Sequence, residues 1–489
     1  MIDKIKTVSK ETLIYGLGNA AGSVISLLLL PLYTKYLTPA EFGYLSVLLV
    51  VQSVVEMTAV FGLSSALFRY YLMAPNEAEK KIVMNTCFWV QALFVVVVAG
   101  VSVPFSGTLS WALFGSHEVS LHLVFVMLTG VLSAFGALFF SLMRAEQKSI
   151  QFAIAQVVKI TLLLGTNIYM VAVLQRGYAG IILGNVLVNG FIAVILVIWF
   201  ARYIDFSFSH EYSLKLLRFA GPIYVVNGFF FVLNLSDRFF LNHFLSPAEV
   251  GLYSFGNRIG SAVMIGVVAP FSTAIVPYAM SIAREEHFPR TFAKLSKYFV
   301  LLLSFLSVSI FYFSNEIIIL ISNVSYLHAS GIVGPILLSS ILYGLFYNLG
   351  IAIDIVEKTY LATAVVFAGA LVSLGVNYLA IPVLGIYGSA LASCLSNAVL
   401  CFLMYYVCQK HYPIPYEVGA FLKLMGILIV YVAIYYGLTG TDIDPSTEIV
   451  LKSILCIAFP VVLFVFRVFD EKERQYGLGL LRSGAGQKQ

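Results

Sequence analysis

Fourteen runs of this 489-residue sequence are apolar for long enough to cross a membrane. An α-helix rises 1.5 Å per residue, so about twenty residues span roughly 30 Å of hydrocarbon. In lipid every backbone N–H and C=O must be satisfied internally, which leaves a helical bundle as the fold open to such a chain. The runs cover approximately 11–34, 41–71, 80–106, 118–143, 150–174, 178–201, 214–236, 248–279, 291–313, 328–353, 358–380, 385–407, 417–437 and 447–468. With 60% hydrophobic and only 11% charged residues, a soluble domain of this size is excluded. The connections are short and carry no conventional cytosolic active site or ATPase module.

The runs are not independent. Leu37-Thr38-Pro39-Ala40-Glu41-Phe42-Gly43 returns as Leu245-Ser246-Pro247-Ala248-Glu249-Val250-Gly251, an offset of 208 residues. At the same offset Asn19 falls on Asn227, Ser64-Ser65-Ala66 on Ser272-Thr273-Ala274, and Gly177, Gly180 and Asn189 on Gly385, Gly388 and Asn397. The expected fold is therefore an all-α polytopic membrane protein of about fourteen transmembrane helices. Residues 1–207 form one six-helix bundle, 208–412 its repeat, and 413–489 two further helices and a cytoplasmic tail. Six helices separate the copies, so the repeats run parallel, related by an axis along the membrane normal. Repeated bundles of this kind are transporters, with substrate at the repeat interface.

Basic residues set the orientation. A cytoplasmic N-terminus leaves only Lys35, Arg176, Arg238 and Lys452 outside, with Lys159 and Arg258 inside helices and the remaining Lys and Arg on the inner side. Both termini are then cytoplasmic, as an even number of crossings requires. The first run lacks an early small-residue cleavage site and reads as a retained helix. Cys87, Cys394, Cys401, Cys408 and Cys456 have no metal or redox spacing and read as packing residues.

An ionisable side chain at a helix centre costs about 2.5–3.5 kcal/mol even on the lenient insertion scale, so those retained point to function. Glu56 lies fifteen residues into the second run, Lys159 nine into the fifth and Arg258 ten into the eighth. The first reads as a lumen acid, the other two as lumen cations. Arg69 in Phe68-Arg69-Tyr70-Tyr71 and the pair Asp237-Arg238 sit nearer helix ends, where interfacial anchoring competes evenly with a substrate role. Asn19 and Asn227 are equivalent amides suited to interhelical hydrogen bonds or to a shared lumen. None of the charged candidates is duplicated. Glu56 meets Met264, Arg258 meets Val50, and Asp237-Arg238 meet Leu29-Leu30, so the scaffold was copied while its chemistry diverged.

Other chemistry has little support. The seven histidines show no metal-ligand spacing, and neither a phosphate-cradling loop nor a nucleophile elbow is present. No enzymatic activity, cofactor or metal is expected.

The stretch from Leu28 through Thr34-Lys35-Tyr36-Leu37 to Tyr44, with Gly62-Leu63-Ser64-Ser65-Ala66-Leu67-Phe68-Arg69-Tyr70, resembles the N-terminal part of bacterial polysaccharide (Wzx-type) flippases. Asp237-Arg238-Phe239-Phe240-Leu241 leading to Val250-Gly251-Leu252-Tyr253-Ser254 is similar to the start of their second half. The resemblance extends over essentially the whole chain and marks the superfamily joining such flippases with multidrug (MATE-like) exporters. It implies a V-shaped pair of bundles, alternating access, and an oligosaccharide on an undecaprenyl pyrophosphate carrier moved from the inner to the outer leaflet of the bacterial cytoplasmic membrane. Arg69, Lys159, Arg258, Arg238, Asn19 and Asn227 would then bind substrate, and Glu56 or Asp237 would couple an ion. The implied partners are membrane lipids and the envelope's polysaccharide polymerase and glycosyltransferases, with no nucleic acid. A lipid-linked peptidoglycan precursor flippase, a cation-coupled drug exporter and a non-transporting scaffold are the competing readings.

Overall fold

The computed structural model describes residues 27–283, 285–439, 444–471, 473 and 475. Among these residues every regular element is a helix, and thirteen spans are long and apolar enough to cross a membrane. The first expected span is represented by helical residues 27–36; Asn19 lies outside the described residues. Helices α1 (Pro39–Val60) and α2 (Leu63–Met73) form the next span, followed by α3 (Glu77–Ser102) and a short α4 (Ser106–Phe114). Then come α5 (Ser120–Ala145), α6 (Ser149–Ile168), extended by a π-helical turn, and α7 (Gly177–Phe200). The second repeat opens with α8 (His210–Leu235), short α9 (Asp237–Phe244) and α10 (Pro247–Gly260), which leads through a π-helical turn into α11 (Ala269–Ile282). It continues with α12 (Phe288–Tyr312), short α13 (Ser314–Ile321), α14 (Ser330–Ile355), α15 (Thr359–Leu384) and α16 (Ile386–His411). Two more helices, α17 (Val418–Thr439) and α18 (Pro445–Val465), complete the bundle.

The doubling is visible in local chemistry. Thr38 caps α1, its hydroxyl accepting from the Glu41 amide while the Glu41 carboxylate accepts from Thr38 N at 2.9 Å. Ser246 and Glu249 make the same reciprocal pair at the start of α10, with Ser246 N donating to Glu249 at 3.1 Å. Gly177 and Gly385 both adopt left-handed φ, +56° and +58°. Asn189 is bonded by Ser133 at 3.1 Å, and Asn397 bonds Ser339 at 2.7 Å, so equivalent amides tie equivalent helices together.

By contact the chain divides into two compact units that do not follow the repeat boundary: residues 1–258, 321–332 and 366–396, and residues 259–320, 333–365 and 397–489. In the first unit, Leu67, Cys87, Phe139, Met143, Leu196 and Phe200 belong to one packed core. The segment after α7 is laid along α3 by side chains. Asn85 donates to Tyr203 O at 3.0 Å and accepts from Asp205 N at 2.8 Å, Trp89 donates to Asp205 O at 2.9 Å, and Ser209 N donates to Thr86 at 3.0 Å. Lys81 bridges Asp205 at 2.5 Å. That bridge, with hydrogen bonds from Ser207, holds the Asp205 carboxyl down at about 2.

In the second unit two buried lysines fasten the last helix pair. Lys297 on α12 bonds Glu417 and Glu473, each at 2.8 Å, and Lys452 on α18 bonds Glu316 and Glu448, each at 2.7 Å. Lys452, which the count of basic residues puts on the outer side, is fully buried near the start of its helix. Tyr312 on α12 adds a hydrogen bond to Tyr431 O at 2.7 Å.

Candidate functional site

A break in the second span shapes the site. Phe61 and Gly62 take left-handed φ of +47° and +76°, ending α1 and restarting the chain as α2. A Cβ on Gly62 would lie 2.8 Å from Ala220 O of α8, so glycine is required both by its φ and by the close backbone. Neighbouring helices bond the backbone on both sides of the break, at the end of α1 and at the start of α2. Gln91 donates to Ala59 O at 2.9 Å and Ser141 donates to Ser64 O at 2.5 Å. Phe61 stacks between Phe94 and Tyr224, each at 4.7 Å between ring centroids.

Beside this break, within the first unit, is a cavity of about 460 Å³, a volume in the usual range for small-ligand sites. Each helix contributes one face. Ser53, Glu56, Met57 and Val60 recur at helical spacing on α1, as do Ala137, Phe140 and Arg144 on α5 and Phe152 and Gln156 on α6. Lys159, three residues beyond Gln156, is the charged neighbour of Glu56. Ser64 and Asn227 complete the polar lining. Acid, cation, amide and hydroxyl therefore surround one space bounded by Phe140 and Phe152. This arrangement suits a ligand carrying both negative charge and many hydroxyl groups.

Of the residues singled out in the sequence, the structure brings together Glu56, Lys159 and Asn227. A second group forms where α8 gives way to α9. Arg238 donates to Asp237 and to Asn234 O, both at 2.7 Å, and Tyr253 donates to the second Asp237 oxygen at 2.6 Å. Asp237, Arg238 and Tyr253 are all buried. Arg258 is an electrostatic neighbour of Arg238 and Tyr33. Arg69 stands apart, exposed, with its guanidinium 4.6 Å from the Phe219 ring.

Arg144 escaped the sequence reading, which counted it only among the cations of the inner side. Its signal was the spacing from Ala137 and Phe140, and its place one turn before the left-handed Gln147; Asp354 precedes the left-handed Glu357 in the same way in the second repeat. Glu417, Asp470 and Glu473 gather their carboxylates within 4.8 Å, a spacing that would suit a cation. The Lys297 ammonium already bonds two of the three, and a structural role follows.

Comparison with known proteins fits this architecture. Residues 8–283 match the polysaccharide biosynthesis protein family. A protein named for the Lsg locus of Haemophilus influenzae is 21% identical over 290 residues, covering 57% of this chain and 67% of that protein. A further membrane protein of the same organism is 23% identical over 283 residues, covering 55% of this chain and 64% of its own length. The chain thus spans about two thirds of the length of these relatives. Among solved structures, the lipid II flippase MurJ in an inward closed conformation superposes with a TM-score of 0.72 at 14% identity, over 94% of this chain and 100% of that one. An inward-facing multidrug resistance MATE family transporter of the MOP superfamily gives 0.64 at 13% identity, over 81% of this chain and 93% of that one. These likenesses establish the fold: a multi-pass helical bundle of the kind used by transporters and flippases. With the family match covering more than half of its length, the chain belongs to the polysaccharide biosynthesis protein family.

Proposed function

We propose that this protein moves a polyprenyl-pyrophosphate-linked oligosaccharide from the inner to the outer leaflet of the bacterial cytoplasmic membrane by alternating access. The observation that carries the reading is the cavity at the helix break, with Glu56, Arg144, Gln156 and Asn227 in its wall and Lys159 beside Glu56. The head group of such a lipid cannot cross hydrocarbon alone, whereas its tail never has to leave it. A polar chamber beside lipid is what the head group needs.

The residues divide the work. Arg144 and Lys159 offer cations to the pyrophosphate, Arg presenting a bidentate fork. Gln156, Asn227, Ser53 and Ser64 face sugar hydroxyls. Arg258 with Arg238 offers a second cationic locus, and Asp237, whose two oxygens are already engaged, orders Arg238. Glu56 is then the better candidate for ion coupling. Arg69, stacked on Phe219, anchors the helix end at the membrane interface. An inside-negative potential of 100 mV favours outward movement of a dianion by about 4.6 kcal/mol, so coupling to an ion gradient adds to a bias already present.

The test is the amount of lipid-linked oligosaccharide reaching the outer leaflet in cells with and without this chain, at matched synthesis. Accumulation on the inner leaflet when the chain is absent, relieved by its return, supports the reading. Unchanged delivery in its absence rejects it. Running the same measurement with the lipid-linked peptidoglycan precursor separates the alternative that shares the carrier.

A further inference from the structure

The last turn of α5 carries Arg144 to the cavity wall, and the chain then reverses through Glu146, Gln147 and Lys148 into α6, whose Phe152 and Gln156 line the same space. The reversal is tight. Gln147 takes a left-handed φ of +56°, unfavourable for a residue with a Cβ. Its amide donates to Arg144 O at 3.1 Å and the Lys148 amide to Met143 O at 2.9 Å, closing the helix end. Glu146 staples this turn. One carboxylate oxygen pairs with the Lys148 ammonium at 2.5 Å, spanning Gln147, and the other accepts from the Tyr71 hydroxyl at 2.8 Å. Tyr71 is buried in α2, the helix that restarts after the break at Phe61 and Gly62. The staple thus joins α2, α5 and α6, each of which lines the cavity.

The second repeat separates what the turn needs from what the cavity needs. There Glu357 takes a left-handed φ of +58°, its amide donates to Asp354 O at 3.1 Å, and the Lys358 amide donates to Ile353 O at 3.3 Å. Counted from the left-handed residue, Lys148 returns as Lys358, but Val356 stands for Glu146 and Asp354 for Arg144. At the 208-residue offset Ala279 stands for Tyr71. The same turn therefore forms without the hydroxyl, the carboxylate or the cation, and making the turn is not what these three side chains are for. Nor does the helix dipole account for Arg144. A cation suits the negative end of α5, yet α14 carries an acid at that place. Tyr71, Glu146 and Arg144 occur together in the repeat whose α1, α2, α5 and α6 build the cavity. Helix ends fray, and an arginine on a frayed turn loses the fixed place that a bidentate contact requires.

We propose that Tyr71, Glu146 and Lys148 are positioning residues for Arg144, holding the end of α5 so that its guanidinium meets the anionic head group in the cavity. The proposal rests on the transport reading and adds to it a support that touches no substrate. Transfer of lipid-linked oligosaccharide is measured in proteoliposomes for Tyr71→Phe and for Glu146→Val, the residue that the second repeat tolerates at this turn. Each is made with Arg144 present and in the Arg144→Gln background, at a protein density that keeps the slower background measurable. Each is expected to lower transfer about fivefold with Arg144 present and less than about twofold once Arg144 is gone. General loosening of the fold would lower transfer equally in both backgrounds; that result, or an unchanged rate in both, overturns the proposal. A second measurement needs no substrate. In a chain whose five native cysteines are replaced, Arg144→Cys and, on another wall of the cavity, Asn227→Cys are modified by a water-soluble sulfonate thiol reagent. Glu146→Val should change the rate at position 144 by about threefold or more and leave the rate at 227 constant. A constant rate at 144, or an equal change at both, refutes the proposal. If the rates behave as expected but the native protein transfers no lipid-linked oligosaccharide, the positioning of residue 144 stands and the substrate reading falls.

Discussion

Lys297→Met removes the cation on which two carboxylates converge while keeping most of the side chain's volume. The Lys297 side chain is 2% exposed, and its Nζ lies 2.8 Å from a carboxylate oxygen of both Glu417 and Glu473. At an effective dielectric of about 20, each contact supplies roughly 6 kcal/mol of gross attraction. Desolvation of the ammonium and of Glu473, which is 10% exposed, offsets most of this, and water screens Glu417 at 29% exposure. What the substitution leaves behind decides its cost: two carboxylates face each other without their shared cation. Breaking a buried pair from one side costs about 3–5 kcal/mol, and the partly hydrated Glu417 places this case near the lower figure, about 3 kcal/mol. That is roughly a hundredfold in an equilibrium constant. A thiol-reactive fluorogenic dye reads it during thermal unfolding, because Cys408 and Cys456 are buried in the second unit and Cys87 in the first. Chains keeping only the former pair should show an earlier midpoint with Lys297→Met, and chains keeping only Cys87 a smaller change. Adding Glu417→Gln and Glu473→Gln should recover most of the loss, since the two carboxylates that Lys297 bonded are then neutral and the charges left beside them, Asp470 and Lys294, are exposed to water. A native midpoint for Lys297→Met, or a triple variant no better than the single one, refutes the reasoning.

Three further outcomes follow from the geometry. Gly62→Ala combines a left-handed φ with a backbone oxygen 2.8 Å from the new methyl, and should cost about 2 kcal/mol, read as a lower unfolding midpoint with Cys87 as the reporting thiol. Asp205 has a folded pKa of about 2, below its ordinary value of 3.8, so its bridge to Lys81 stabilises fully above about pH 4 and is lost as pH falls toward 2; Asp205→Asn should remove that part of the acid dependence of unfolding, and an identical acid profile would count against the bridge. Arg69→Ala should leave transport near native, because its guanidinium stacks on Phe219 outside the cavity; a loss as large as that of Arg144→Ala would return Arg69 to the substrate path.

The spans were readable in the sequence because lipid imposes one period and one length, and the heptad at Leu37 and Leu245 announced the doubling. The short helices α4, α9 and α13 were not, since each falls in a connection between apolar runs and, at eight or nine residues, is too short to span lipid or show a clear period. Glu56 and Lys159 stood out as charges in apolar runs. Arg144 did not, because at the end of α5 it is indistinguishable from an inner-loop cation until the face shared with Ala137 and Phe140 is considered. The helix break at Phe61-Gly62 left only a glycine as its trace, and the close approach of Ala220 that requires it is a tertiary fact. The burial of Lys452 was hidden for a related reason: the distant Glu316, with Glu448 one turn away, pairs a charge that looks solvated in isolation.

The most direct test is transfer of undecaprenyl-pyrophosphate-linked oligosaccharide across proteoliposomes holding the purified protein, native or with Arg144→Gln, at equal protein density and verified folding. A hydrogen bond to a charged group contributes about 1.5–3 kcal/mol, so the account predicts a loss of about tenfold or more for Arg144→Gln, with Arg69→Ala close to native. Native transfer by Arg144→Gln, or no transfer by the native protein itself, would contradict the claim that the cavity beside the helix break carries the head group.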